Sequence, residues 1–158
     1  AEDSKTLAIE DLKKINLTKN DIVIGIAASG RTPYVLGGIE YAKSIGTPTA
    51  CITTSKGSIL ASSVDYPIEA VTGQEVITGS TRLKAGTAQK LVLNMISTFC
   101  MVKNGYVYEN LMINLQPTNI KLRDRMVRIV CDILGTSYEE SEALLEKSDW
   151  SIRKAVEK

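Results

Sequence analysis

The residue types best suited to chemistry lie in two clusters of hydroxyl, glycine and cationic side chains. The first cluster, Ser29, Gly30 and Thr32, directly follows the apolar run Ile22–Ile26. Hydroxyls and backbone N–H groups at the start of a helix bind anions, and phosphate is the usual occupant. The spacing matches neither a Walker loop nor a GxGxxG dinucleotide loop. We therefore predict a phosphate site at these three residues; the alternative is that Ser29 and Thr32 only cap a helix and turn the chain.

The second cluster lies in a polar, glycine-containing segment that precedes a long helical pattern. It consists of Ser80, Thr81, Arg82 and Lys84. Hydroxyls and cations before a helix again suit an anion, so these four are predicted to bind a ligand. The alternative is a capped helix with solvated cations.

Acid–base chemistry in this chain falls to carboxylates, lysine or tyrosine, because the sequence has no histidine. Glu2, with Asp3 and Ser4, precedes a helical pattern that begins near Leu7. From residue types alone, these polar residues are predicted to cap that helix. With neither histidine nor a CxxC pair, no zinc site and no Ser-His or Cys-His pair is predicted, and no metal or other cofactor is expected.

Composition argues against several classes of partner. The formal net charge of the 158 residues is +1 and aromatic residues make up 5% of them, which argues against a nucleic-acid partner. No apolar run is long enough to cross a membrane and no signal peptide is visible, so a cytoplasmic protein is predicted. Cys51, Cys100 and Cys131 each lie in an apolar pattern and are predicted to be buried free thiols.

Strand patterns alternate with helix patterns along much of the chain. Strands are predicted at Ile22–Ile26 (buried on both faces), Thr49–Thr53 and Tyr66–Val71, and helices from Pro33 and over Ala85–Val102. Pro67 marks the third strand as an edge strand. The order indicates an α/β fold, a three-layer α-β-α arrangement around a parallel sheet. The polar loop Thr54–Ser58 either lines a ligand or starts a short helical turn, and the second interpretation is preferred.

The last part of the chain has a different character. An extended segment is predicted over Tyr106–Leu115, followed by three short helices over Ile120–Leu134, Ser137–Lys147 and from Asp149 onward. Ser137 and Glu140 have the spacing of a capping box. This part resembles a small ubiquitin-associated-like module.

Four segments carry a family resemblance. The S-G-x-T loop at Ser29–Thr32 resembles the phosphosugar-binding SIS (sugar isomerase) domain. The run Thr78–Lys90 (TGSTRLKAGTAQK), with Asn110–Met112 and Ala1–Ser4, closely resembles the N-acetylmuramic acid 6-phosphate etherases. The resemblance extends over essentially the whole chain but lacks the family's amino-terminal part, and a first residue other than methionine leads us to expect a piece of something longer.

The resemblance implies a domain organisation and an activity. Residues 1–105 would be the second half of a SIS-like phosphosugar-binding domain, 106–119 a connecting segment and 120–158 the helical module. The activity would be a carbon–oxygen lyase reaction on N-acetylmuramic acid 6-phosphate in cell-wall recycling, without a cofactor. Glu2 falls on one catalytic glutamate of the family, and the second would lie upstream, so the chain alone is expected to be inactive. The 6-phosphosugar would bind at both clusters, and a homodimer is implied.

Two other function classes stay open at this point. One is a phosphosugar-binding regulator without catalysis, resembling the glucokinase regulatory protein. The other is an aldose–ketose isomerase, which the SIS-like loop favours and the etherase-like run Thr78–Lys90 disfavours.

Overall fold

Strands and helices alternate through the first part of the computed structural model, which describes residues 1–157. The elements there are α1 (Leu7–Lys14), β1 (Val23–Ile26), α2 (Pro33–Ser44), β2 (Thr49–Thr53), α3 (Ile59–Ser63) and β3 (Tyr66–Glu69). They are followed by α4 (Lys84–Lys103), β4 (Val107–Tyr108), β5 (Leu111–Met112), α5 (Ile120–Leu134), α6 (Tyr138–Lys147) and α7 (Ile152–Val156).

The chain divides into two compact units, Ala1–Met95 and a second that begins at Ile96. Helix α4 therefore starts in the first unit and ends in the second. The predicted division into 1–105, 106–119 and 120–158 stays a prediction.

The sheet of the first unit has the order β1-β2-β3, and both strand pairs are parallel. All five residues of β2 are buried, as expected for a β-branched run in the centre of a parallel sheet covered on both faces. The α/β prediction, a parallel sheet flanked by helices, is confirmed. β3 ends two residues earlier than predicted, and its Pro67 lies on an edge strand as expected because proline cannot donate to a neighbouring strand.

The prediction that the first strand is buried on both faces is wrong. A Cβ on Gly25 would meet Val35 and Ile39 of α2 and Leu60 of α3, so these helices pack closely against that face of β1. Successive side chains point to opposite faces of a strand, and Ile26 on the other face is 40% exposed. The helices thus cover one face of this edge strand more completely than the other.

The second unit packs its hairpin and helices around one core. The predicted extended segment over Tyr106–Leu115 contains two strands, β4 and β5, which pair as an antiparallel hairpin with Glu109 at a φ of 51° in the turn. The core consists of Ile113, Met126, Val127, Ile129, Val130, Leu145 and Ile152. The capping box is confirmed, because Ser137 and Glu140 exchange side-chain-to-backbone hydrogen bonds.

The three thiols lie in different environments. Cys51 is buried in the hydrophobic core of the first unit, with Ala27, Ile39, Leu60 and Ala61, and this burial raises the pKa of its thiol. Cys131 is half-buried and donates to the Ser141 Oγ at 3.1 Å, whereas Cys100 is exposed on α4. The prediction of three buried thiols is therefore wrong for Cys100 and Cys131, because neither lies on a fully covered side of its helix. Within residues 1–157, no helix is long and apolar enough to cross a membrane.

Candidate functional site

The loop after β1 has a fixed backbone that needs glycine at position 30. Gly30 has a φ of 63°, and its N–H donates to the Ala27 carbonyl at 3.1 Å. A Cβ on Gly30 would lie 2.4 Å from the Ser58 Oγ. Both the left-handed conformation and the closeness of Ser58 therefore favour a residue without a side chain.

Hydrogen bonds join the loops that follow β1 and β2. The Ala28 carbonyl accepts from the Thr54 N–H at 3.1 Å, from the Thr54 Oγ1 at 3.2 Å and from the Ser55 Oγ at 3.1 Å. The Leu60 N–H donates to the Gly30 carbonyl at 3.1 Å. The two loops lie at the carboxyl ends of parallel strands, the edge of the sheet where α/β proteins bind ligands. The hydrogen bonds between them hold this edge in a fixed arrangement.

Ser29 and Thr32 lie in this rigid loop with their hydroxyls unengaged. Ser29 is exposed, and Thr32 is the N-cap residue of α2 but makes no side-chain capping bond. Within the described chain, neither hydroxyl has a hydrogen-bond partner. The helix begins with Pro33 at its first position, as the sequence predicts, since proline already has a helical φ.

The amino-terminal segment packs across the first turns of α2. The Tyr34 N–H donates to the Glu2 carbonyl at 3.1 Å, and a Cβ on Gly37 would lie 2.0 Å from the Lys5 carbonyl oxygen. Glu2 is exposed. The structure thus brings the backbone of Glu2 next to the start of the helix that the Ser29–Thr32 loop leads into. Ser4 accepts from the Leu7 N–H at 3.2 Å, as the capping prediction expected for one of these residues.

The second predicted cluster is only partly brought together. A cavity of about 150 Å³ lies between the end of β2 and the start of α4, and Thr81 lines it. Ser80, Arg82 and Lys84 are not among its lining residues; Ser80 is half-buried and the two cations are exposed. The other lining residues are Thr54, Ser55, Thr72, Gly73, Gln74, Glu75, Thr78, Gly79 and Ala85.

Thr54 and Ser55 line this cavity. The preferred interpretation of the sequence was that the loop Thr54–Ser58, to which they belong, only starts a short helical turn. The preferred interpretation is confirmed for Ser58, which caps α3 by accepting from the Ala61 N–H at 3.1 Å. Thr54 and Ser55 line the cavity, and their contact with a ligand stays a prediction. The position of Thr54 and Ser55 directly after a central parallel strand was the signal for a site role.

A carboxylate already occupies the start of α4, and no pattern in the sequence indicated it. Glu75 accepts from the Lys84 N–H with its Oε2 and from the Ala85 N–H with its Oε1, both at 3.0 Å. These bonds lower the pKa of the Glu75 carboxyl, with the Ala85 N–H the larger contributor. The capped-helix alternative is therefore correct for these two N–H groups. Across residues 1–157, no group of three potential metal ligands is present.

Comparison with known proteins identifies the family to which this chain belongs. The SIS domain family matches residues 6–98, more than half of the chain. The chain belongs to the SIS domain family.

Relatives of this SIS chain with curated names are N-acetylmuramic acid 6-phosphate etherases. Those of Francisella tularensis subsp. holarctica (strain LVS) and Staphylococcus aureus (strain USA300) are each 54% identical to it over 156 residues. The etherase of Exiguobacterium sp. (strain ATCC BAA-1283 / AT1b) is 53% identical over the same number. Each alignment covers 99% of this chain and 52–53% of the relative. The SIS chain thus spans about half the length of the curated relatives it matches.

A solved structure shares the fold. The structure of the protein c3406 from E. coli CFT073 matches with a TM-score of 0.57 and 23% sequence identity. The match covers 67% of this SIS chain and 56% of that chain.

Proposed function

We propose that the protein containing this chain is a lyase that cleaves the D-lactyl ether of N-acetylmuramic acid 6-phosphate. The products are N-acetylglucosamine 6-phosphate and D-lactate, and the process served is cell-wall recycling. The observation that carries the proposal is the 54% identity to etherases over 99% of the chain. It outweighs the regulator and isomerase alternatives, which rest on the S-G-x-T loop and related motifs alone.

Carboxylates are sufficient for this chemistry. The ring-opened sugar has an aldehyde, which makes the proton on the adjacent carbon acidic enough for a carboxylate to remove. We assign this base to Glu2, exposed beside the start of α2. The carbon–oxygen bond to lactate then breaks, and a second carboxylic acid protonates the leaving oxygen. Water adds back across the double bond. One carboxyl must be ionised and the other protonated, a difference that local environments can produce.

The site geometry supports a phosphate-binding role for Ser29, Gly30 and Thr32. The loop lies at the carboxyl end of a parallel strand and leads into α2, and its two hydroxyls are free of other partners among the described residues. Such a loop presents hydroxyls and N–H groups at the positive end of a helix. Thr81, on the cavity wall, supports contact between the second cluster and the sugar, and we keep Ser80, Arg82 and Lys84 as proposed ligand residues.

We further propose that the protein is a cytoplasmic homodimer in which α4 contributes to the subunit interface. Among the described residues of α4, only Ala85 is buried, while Leu91 and Met95 are 50% and 64% exposed. A helix with so much exposed apolar surface is suited to cover a partner.

The test is D-lactate release from N-acetylmuramic acid 6-phosphate, followed by a coupled lactate-dehydrogenase assay. The intact protein should release D-lactate. Glu2→Gln within it should reduce the rate by at least about a hundredfold, since general acid–base assistance is typically worth that much or more. Glu10→Gln is the matched control, because Glu10 is also an exposed glutamate, on α1.

The 158-residue chain by itself should release no D-lactate, since the elimination needs two carboxyl groups and the resemblance supplies one of them here. Comparable lactate release from this chain alone would mean that the chemistry lies on other residues.

Binding of the 6-phosphosugar without any lactate release by the intact protein would favour the regulator, and formation of a ketose phosphate would favour the isomerase.

A further inference from the structure

Glu75 connects the two ends of the loop that carries the second predicted cluster. Its carboxylate accepts the backbone N–H groups of Lys84 and Ala85, nine and ten residues further along the chain. The first N–H groups of a helix have no partner within the helix. Glu75 satisfies two of them and closes the intervening residues 76–83 into a loop.

The rest of this loop has few connections to the body of the protein. Val76 and Ile77 are 88% and 66% exposed. Within residues 1–157, the side chains of Thr78, Ser80 and Thr81 make no hydrogen bond, and the loop's internal backbone bond runs from the Ser80 N–H to the Ile77 carbonyl at 3.1 Å. The Leu83 carbonyl also accepts from the Thr87 N–H at 3.0 Å, which joins the end of the loop to α4. The two bonds of Glu75 are the hydrogen bonds that hold the start of α4 against the residue that precedes the loop.

The same loop forms a wall of the cavity at the end of β2. Glu75, Thr78 and Thr81 line it from one side, and Thr54 and Ser55 line it from the sheet. The latter pair is fixed by hydrogen bonds to the Ala28 carbonyl. The position of the Thr78 and Thr81 hydroxyls relative to the rigid β1 and β2 loops thus depends on the bonds that Glu75 makes.

We propose that Glu75 is a positioning residue for phosphosugar binding: by holding the start of α4, it fixes the Thr78 and Thr81 hydroxyls at the cavity. The proposal rests on the proposed function, and neither the family resemblance nor the predicted clusters included Glu75. Its carboxylate oxygens contact backbone N–H groups, so Glu75 acts through the loop. Loss of the Glu75 carboxylate should weaken phosphosugar binding much more than it lowers the rate at which the bound substrate reacts.

The test compares Glu75→Gln with Asn119→Ala in the intact protein. Glutamine keeps one acceptor but places an NH₂ group against the second backbone N–H. Asn119→Ala is the matched control, because Asn119 caps α5 by accepting from the Leu122 N–H at 2.9 Å and lies in the other unit. Three quantities are measured: the rate of limited trypsin cleavage after Arg82 and Lys84, the Kd of N-acetylglucosamine 6-phosphate by calorimetry, and kcat for lactate release.

For Glu75→Gln we expect faster cleavage in the loop and a Kd raised about tenfold, as for the loss of one charge-assisted hydrogen bond. We expect kcat at saturating substrate to change by less than about threefold, because the interaction lost belongs to binding. Asn119→Ala should change none of the three. If Glu75→Gln fails to fold, Glu75→Asp takes its place, since it keeps both acceptors on a shorter side chain and should give smaller changes in the same direction.

Unchanged loop cleavage or an unchanged Kd in Glu75→Gln would overturn the proposal. A fall in kcat with an unchanged Kd would also overturn it, because Glu75 would then act on the reaction itself. If the intact wild-type protein releases no lactate but its 6-phosphosugar affinity depends on Glu75, the lyase proposal fails and this one stands.

Discussion

Gly30 and Ser58 approach so closely that a Cβ added to Gly30 would lie 2.4 Å from the Ser58 Oγ and 2.5 Å from its Cβ. Ser58 itself is held in place because its Oγ accepts from the Ala61 N–H at the start of α3. The loop after β1 and the first turn of α3 therefore have almost no freedom to separate. This contact fixes the position of the predicted phosphate loop.

The first prediction separates this contact from backbone strain. Gly30 and Gly57 both have a φ of 63°, but a Cβ on Gly57 would meet nothing within 4 Å. Gly57→Ala should therefore cost only the left-handed conformation, about 1–2 kcal/mol. Gly30→Ala adds an overpacked contact and should cost about 2–5 kcal/mol in total. Denaturant unfolding of the intact protein measures both, and equal losses in the two variants would contradict the role of Ser58.

The second prediction concerns the two hydroxyls of the proposed phosphate loop, Ser29 and Thr32. Replacing both Ser29 and Thr32 with alanine should weaken binding of N-acetylglucosamine 6-phosphate by at least about a hundredfold, because two hydrogen bonds to a charged group are lost. The free energy of unfolding should change by less than about 1 kcal/mol, since Thr32 makes no capping bond.

Ser137→Ala is the control for this double variant. Ser137 caps α6 through its Oγ, so its loss should cost about 1 kcal/mol of stability and leave ligand affinity unchanged. Unchanged affinity of the Ser29 and Thr32 double variant in calorimetry would remove these residues from the site.

Features set by local sequence could be predicted. Thr49–Thr53 has the bounds predicted for it, because a short run of β-branched and small residues between turn residues packs well as a buried strand. The capping box at Ser137 and Glu140 depends on residues three apart. Features set by distant contacts could not be predicted. Glu75 lies in a polar loop with no periodic pattern, and only the folded loop brings its carboxylate to α4.

The same distinction applies to burial. The exposure of Ile26 depends on which face of β1 the helices cover. An apolar pattern alone does not contain that information. The Ser29–Thr32 loop lies at the end of a strand, as the sequence predicts. The cavity lined by Thr54 and Ser55 depends on how the loops after β1, β2 and β3 fold together, and a sequence pattern does not contain that information.

The third prediction concerns the proposed dimer. Leu91 and Met95 lie four residues apart on α4, hence on one side of it, and are 50% and 64% exposed. If this side covers a second subunit, Leu91→Glu with Met95→Glu should raise the dimer Kd by at least about a hundredfold, because charges would be buried without partners. Cys100→Glu is the control, because Cys100 is exposed on the opposite side of α4. Sedimentation velocity measures all three proteins, and a wild-type monomer would contradict the dimer.

The fourth prediction concerns acid stability at the opposite end of the sheet. The Asp65 Oδ2 accepts from the Thr49 N–H at 2.8 Å and from the Thr49 Oγ1 at 2.7 Å. These bonds, above all that from the Thr49 hydroxyl, lower the pKa of the Asp65 carboxyl in the folded protein. Lys43, whose Nζ lies 3.9 Å from the Asp65 Oδ1, lowers it further but by less.

A lowered pKa means that the unfolded chain binds more protons than the folded one, so the free energy of unfolding rises with pH. The stabilisation by Asp65 should be complete above its unfolded pKa of about 3.9. It should be lost progressively as the pH falls through the lower pKa of the folded state. Asp65→Asn should therefore be less stable than the wild type near neutral pH, and the difference should shrink in acid.

Denaturant unfolding at a series of pH values measures this difference in the free energy of unfolding. Asp132→Asn, an exposed position on α5, serves as the control, and a stability loss in Asp65→Asn that stays constant with pH would show that the Asp65 charge is not the source.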